Sequence, residues 1–272
     1  MDPVLIVSLA VLGGAVGFAA GLLGIGGGMI LVPFLTMLFP FYGIPEDLVV
    51  HAAIATSMAT IVFTSVSSVR AHHAKGAIRW DIVAAMAPGM IVGGFVSGGA
   101  LFSYLSGAWL ALIFALFVGY SAYRMLAAKP PAVGKSMPGK AATAGVGVGI
   151  GMASGLLGAG GGFLSVPFMT SSNVKIHTAV ATSAALGFFI AVANSIGYIY
   201  SGFQEVQGQS GMLGYIYWPA LLVLSAMSVL SAPWGARCAH SLPVVTLKRV
   251  FACLLFCLAT YMLYGAVKSF AG

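Results

Sequence analysis

Charge is scarce in this 272-residue chain: twelve basic and five acidic residues, 6% charged in all, against 60% hydrophobic. A soluble domain carries roughly a quarter charged residues, so this sequence cannot clothe a fold in water. The shortage of acid removes a mechanism as well. Asp2, Glu46, Asp47 and Glu205 are expected in a tail or in loops, and Asp81, next to Trp80, reads as an N-cap or interfacial residue. No buried carboxylate is left to bind sodium or carry a proton. Cysteine is also sparse: Cys238, Cys253 and Cys257 form no CxxC and no secreted disulfide framework. Cys253 and Cys257, four apart on one helix face, are expected to be small packing residues. There is no zinc-ligand spacing, no GxxxxGK[ST], no GxSxG and no acid pair, and His72 and His73 beside Lys75 read as solvated. No metal, no cofactor and no catalytic residue is expected, and an intramembrane enzyme finds no support.

What the chain has instead is length of apolar run. Mean hydropathy is +1.04. At about 20 residues per crossing, eight apolar segments are predicted near 4–39, 51–70, 81–103, 108–127, 141–170, 178–201, 216–236 and 250–268. The solvent is therefore lipid, and the class is an all-α polytopic membrane protein. Met1-Asp2-Pro3 lacks the basic n-region of a cleavable signal peptide, so the first helix is expected to stay. The net charge of +7 and pI near 9.5 do not imply a nucleic-acid partner. The basic residues are scattered through short loops, a pattern that records membrane orientation.

The stretch GLLGIGGGMILVPFL at 21–35 returns as GLLGAGGGFLSVPFM at 155–169, with ten of fifteen positions identical. A second echo follows: His51-Ala-Ala-Ile-Ala-Thr56-Ser57 reappears as His177-Thr-Ala-Val-Ala-Thr182-Ser183. The chain is a duplication, with halves at 1–128 and 141–272 joined by a basic cytoplasmic linker at 129–140. The charged loops swap places between the halves. Arg70, Lys75 and Arg79 precede the third segment, whereas Arg237, Lys248 and Arg249 lie one loop later in half two. If the long first segment of each half folds back at its glycines, the halves are inverted repeats. Every basic loop then falls inside and both termini outside. The architecture expected is thus two inverted halves, each a Gly-broken or hairpin first helix plus three transmembrane helices.

Paired Gly/Pro-interrupted apolar segments in two halves are the best sequence pointer to a transport site. Gly26, Gly27 and Gly28 allow close backbone approach, and the helix resuming at Met29 presents its N-terminal N–H groups and positive dipole end. Gly160, Gly161 and Gly162, followed by Phe163, supply the same element from the other half. Two such termini could bind a small oxyanion with few or no charged side chains; close helix packing is the competing explanation of the glycines. Pro33 and Pro167 are expected to kink the resuming helices. Thr56, Ser57, Thr182 and Ser183 are candidate lining residues, although their hydroxyls could back-bond to their own helices. His51, His177 and Asn194 are candidate proton or anion contacts, with an interfacial cap as the alternative for the histidines.

At these residues the chain resembles the sulfite exporter TauE/SafE family, also called the toluene-sulfonate uptake permeases. The shared pattern is G-x-x-G-x-G-G-G-x-x-x-V-P, carried by Gly21, Gly24, Gly26, Gly27, Gly28, Val32 and Pro33, and again by Gly155, Gly158, Gly160, Gly161, Gly162, Val166 and Pro167. Ala-Thr-Ser at 55–57 and 181–183 resembles that family's second helix. The resemblance implies a secondary transporter, an exporter by expectation, of sulfite or organosulfonates at the bacterial inner membrane, working by alternating access. A passive channel, or an importer of another small organic anion, stays open. The expected partners are a small anion and the lipid bilayer, with a homodimer as an option.

Overall fold

The computed structural model of the protein describes residues 3–23, 27–127, 136–238 and 244–271. Backbone polar groups in lipid have no water to bond, so a spanning chain satisfies them within helices, and the described residues are nearly all helical. The first half contains α1 (Pro3–Leu23), α2 (Gly28–Leu38), a 3-10 turn (Phe39–Tyr42), α3 (Glu46–His73), α4 (Trp80–Val96), α5 (Phe102–Tyr104) and α6 (Gly107–Ala127). The second contains α7 (Lys140–Leu157), α8 (Gly162–Ser171), α9 (Ile176–Gly202), a two-stranded hairpin of β1 (Met212–Leu213) and β2 (Ile216–Tyr217), α10 (Trp218–Cys238) and α11 (Val244–Ala271). Among the described residues, eight helices are long and apolar enough to cross a membrane, with α4 counted through to the end of α5. The fold is all-α and polytopic, and each half has a Gly-broken first segment followed by three long apolar helices. Of the expected linker 129–140, only residues 136–140 are described.

Three local expectations change. Glu46 and Asp47 are not loop residues but the first turn of α3, behind Pro45 at the N-cap. Carboxylates favour that position because it is the positive end of the helix dipole. Asp81 does not cap α4; Arg79 is the N-cap residue, and its Nε donates to the Asp81 carboxylate at 2.7 Å on an exposed surface. Cys253 and Cys257 are exposed, because α11 packs on the rest of the protein through Phe251, Ala252, Leu255, Leu258, Ala259 and Met262.

The helix directions follow from their contacts. The Tyr42 hydroxyl donates to the Leu5 carbonyl at 2.6 Å, and Gly27 lies against Val16, so α2 folds back antiparallel to α1. In half two, Ser165 meets Ser183 and Gly187 faces the Gly160 carbonyl, so α8 runs antiparallel to α9. Helix α7 runs with α9, since Gly155 sits at Asn194 and both Ile150 and Ile190 lie beside Gly161. α8 therefore folds back on α7. Across the halves, Gly13 and Gly17 of α1 meet Leu224 and Ser228 of α10, a parallel pair. Gly89 and Gly93 of α4 meet Ala144 and Val148 of α7, also parallel. Trp109, early in α6, stacks edge-on against Phe270, late in α11, so those two run antiparallel.

Candidate functional site

In the first half, Gly27 is the N-cap of α2, and its carbonyl accepts the N–H groups of Ile30 and Leu31, both at 3.1 Å. Gly26 lies outside the described residues. In the second half, α7 ends on Gly158 with φ of 61°, and α8 begins after Gly161 with φ of 72°. Both are left-handed conformations that glycine adopts without the penalty of a Cβ. The Gly161 carbonyl accepts from Leu164 and Ser165, so the N–H groups of Gly162 and Phe163 precede the first intrahelical bond of α8. Pro33 and Pro167 sit inside α2 and α8, and their carbonyls accept the hydroxyls of Thr36 and Thr170 one turn on, at 2.7 and 3.1 Å.

The two breaks touch. A Cβ placed on Gly28 would collide with the carbonyl of Gly158 and stand 3.2 Å from Ala159 Cα, so backbone meets backbone across the halves. Ser57, buried on α3, hangs over that meeting point and donates towards the carbonyls of Gly158 (3.2 Å) and Gly28 (3.4 Å). Its counterpart Ser183 on α9 is also buried and pairs with Ser165 of α8 at 2.9 Å. Several carbonyl oxygens at the second break are consumed by donors of the protein itself. Tyr198 donates to Gly155, Ser57 to Gly158, and the Gly161 N–H to Ala159. The N–H groups of Gly162 and Phe163 stay available as donors at this break, beside the Gly160 carbonyl, which accepts no protein donor among the described residues. The described carboxylates, Glu46, Asp47, Asp81 and Glu205, are all exposed and away from it.

Other candidates are placed differently. Thr56 is buried, and its Oγ1 accepts the N–H of Tyr217 at 3.0 Å; Thr182 accepts the N–H of Arg79 at 3.1 Å. These hydroxyls join each half's long helix to the segment that opens a helix of the other half. His51 is buried, with Nε2 2.9 Å from the Leu105 carbonyl and its ring stacked on Tyr215 (centroids 5.0 Å, 25°) and edge-on to Phe102. His177 is exposed, so the repeated histidines have unlike surroundings. Asn194 is fully buried where α4, α7 and α9 cross. It accepts from Ser97 at 3.2 Å and donates to Ile190 at 2.9 Å. Two cavities flank Gly27. Met29, Phe163 and Phe251 line one; Val16, Leu31, Thr60 and Ser228 line the other. Each has a volume of about 10 Å³, room for about one water, so in this conformation neither holds an organic anion.

Sequence reasoning passed over Ser154, which lies beside the second break, because the repeat directs attention to what the copies share. The signal was a difference: Ser154 directly precedes the second motif where the first has Ala20.

Eight apolar spans, a duplicated break and hydroxyls gathered around it define a multi-pass membrane transporter. The profile of the sulfite exporter TauE/SafE family matches residues 9–262, and the chain belongs to that family. It is 38% identical to a probable membrane transporter protein of Haemophilus influenzae over 252 residues, covering 92% of this chain and 95% of the relative. A probable membrane transporter protein of Methanocaldococcus jannaschii is 27% identical, with 94% of each chain covered. The Bacillus subtilis protein YdhB, also named a probable membrane transporter, is 29% identical over 85% of this chain and 89% of its own. No solved structure matches the chain.

Proposed function

We propose that this transporter exports small sulfur-containing anions, sulfite or organosulfonates, across the bacterial inner membrane by alternating access, binding them where the two glycine breaks meet. The observation that carries this is the contact of Gly28 with Gly158 and Ala159, which brings the two glycine breaks together where none of the described carboxylates is buried. Half-helix N-termini converging from two repeats suit an anionic cargo. The family's description as a sulfite exporter supports both the substrate class and the direction. Export needs no bound cation, because one negative charge moved across 100 mV is worth about 2.3 kcal/mol.

The halves act as inverted repeats that rock against each other around the breaks. Support comes from the helix directions: α1 parallel to α10, α7 parallel to α4, and α6 antiparallel to its counterpart α11. In this arrangement the basic loops fall on one side of the membrane, as the positive-inside rule favours. Ser57 and Ser183 sit at the binding level, and Thr56 and Thr182 hold the closed conformation.

The test is binding followed by flux. Purified protein is melted against sulfite, sulfate, thiosulfate, taurine and aromatic sulfonates, since a ligand that binds the folded state raises its melting temperature. The expected result is a selective rise with sulfite or a sulfonate, and saturable counterflow of the same labelled anion in proteoliposomes. Flux that does not saturate would identify a channel; a rise only with carboxylates would refute the sulfur-anion assignment.

A further inference from the structure

Beyond the glycines, we infer that Ser154 is an anion-binding hydroxyl belonging to the second half alone, so that the oxyanion head is held at the α8 break and not shared evenly between the halves. This rests on the anion-transport function proposed above and names the group that gives it polarity.

Ser154 lies in the last turn of α7, where its carbonyl accepts the Ala159 N–H at 3.4 Å. It is 1% exposed, and its Oγ has no hydrogen-bond partner. Buried hydroxyls in apolar helices ordinarily bond back to a carbonyl three or four residues earlier. Thr60 and Ser65 of this protein do so, whereas Ser195 and Ser225, like Ser154, have no partner. The Ser154 Oγ faces the break, 3.1 Å from where a Cβ on Gly161 would stand. Immediately beyond Gly161 are the N–H groups of Gly162 and Phe163, ahead of the first α8 pairs at Leu164 and Ser165.

Several nearby acceptors are taken, although the Gly160 carbonyl is not. The carbonyls of Gly155, Gly158, Ala159 and Gly161, and that of Ser154 itself, all accept protein donors. A buried hydroxyl with no acceptor of its own, beside a helix N-terminus with free N–H groups, is complementary to an oxyanion. The first break cannot match it. At the same position in the repeat stands Ala20, and Ser165 of α8 is matched by Leu31 of α2. The duplicated motif therefore supplies the bend twice and the side-chain donors once.

The experiment measures affinity for sulfite and for ethanesulfonate on the full chain in detergent, with saturable flux of the same anions in proteoliposomes. A hydrogen bond to a charged group is worth enough that Ser154→Ala should weaken both anions about ten- to a hundredfold. Ser154→Thr, which keeps the hydroxyl, should stay within about threefold of the parent. Unliganded Ser154→Ala should melt no lower than the parent, since it removes a buried group without a partner. Unchanged affinity in Ser154→Ala would overturn the assignment while leaving the anion site standing, as would equal losses in the Ala and Thr variants. If the parent protein binds and moves neither anion, the proposed function fails first, and the role of Ser154 falls with it.

Discussion

The backbone N–H of Tyr217 donates to Oγ1 of Thr56 at 3.0 Å, and both residues are buried. The relationship is repeated on the other side of the duplication, where Arg79 N–H donates to Thr182 at 3.1 Å. In each case the donor directly precedes a tryptophan that opens a helix of the opposite half, Trp218 for α10 and Trp80 for α4. Each half therefore holds the segment that opens a helix of the other through a threonine hydroxyl. Two residues expected to line the pathway serve, in this conformation, as hydrogen-bond acceptors between the halves.

Thr56→Val keeps the shape of the side chain and leaves the Tyr217 N–H without an acceptor. A buried donor left unpaired costs about 1–3 kcal/mol. Hydrogen exchange at the Tyr217 amide should accelerate by roughly 5- to 150-fold on the same basis, while exchange at Arg79 stays as it was. Thr182→Val should do the reverse. Acceleration at both amides in either variant would show one cooperative closure in place of two separate tethers.

The glycines at the breaks should differ in tolerance according to what a methyl group would meet. Gly28→Ala drives a Cβ into the Gly158 backbone, which cannot move without shifting a helix of the other half. Gly161→Ala adds left-handed strain of about 1–2 kcal/mol and brings its Cβ within 2.6 Å of the Ile190 side chain. Gly160→Ala meets the flexible Ile61 side chain at 3.2 Å, with no positive φ. Transport should fall in the order Gly28, Gly161, Gly160, with Gly160→Ala closest to the parent. Equal losses at all three would mean that the contact between breaks is not what the substitutions disturb.

The parts of the fold visible in the sequence are those that were duplicated. Both breaks were legible because GLLGxGGG occurs twice in lipid-compatible segments, while the swapped basic loops favoured a fold-back at each break without deciding it against a single crossing. The hairpin at 212–217 was not legible, since two-residue strands give no alternation to detect. Without it, Thr56 had no visible partner and read as a lining group. The start of α3 was missed by five residues because Pro45-Glu46-Asp47 has the composition of a turn, although each of the three suits a helix N-terminus. Ser154 was hidden for the opposite reason, because it occurs in one half alone.

Tyr215 gives a prediction in pH. It stacks on His51 outside the spanning helices, and burial, with the negative charge of Glu205 adding to it, pushes its phenol up to about 12. The folded protein therefore keeps this proton between pH 10 and 12, where an unfolded tyrosine releases it. More protons bound in the folded state means stability falls as pH rises. The contribution is complete below pH 10 and is lost progressively towards pH 12. Tyr215→Phe, which keeps the stacked ring, should show a shallower decline in melting temperature over that window. Parallel declines would show that the alkaline loss arises elsewhere.

Glycine has a second role in this protein, and it can be separated from the first. Gly89 and Gly93 on α4, and Gly147 and Gly151 on α7, have Cβ positions occupied by backbone of the facing helix: Ala144 and Val148 on one side, Met86 and Met90 on the other. Between apolar helices in lipid there is no hydrophobic drive to associate, so close backbone approach supplies the attraction. A methyl group on Gly89 would overlap the Ala144 carbonyl and force the pair apart. Overpacking of this kind costs typically 1–3 kcal/mol. Gly89→Ala should therefore lower the melting temperature and reduce the folded yield, while the molecules that do fold bind sulfite with the parent's affinity. Gly161→Ala should show the opposite pattern, with modest destabilisation and lost binding. If Gly89→Ala melts like the parent and loses binding, the α4–α7 seam belongs to the moving part of the transporter and not to its frame.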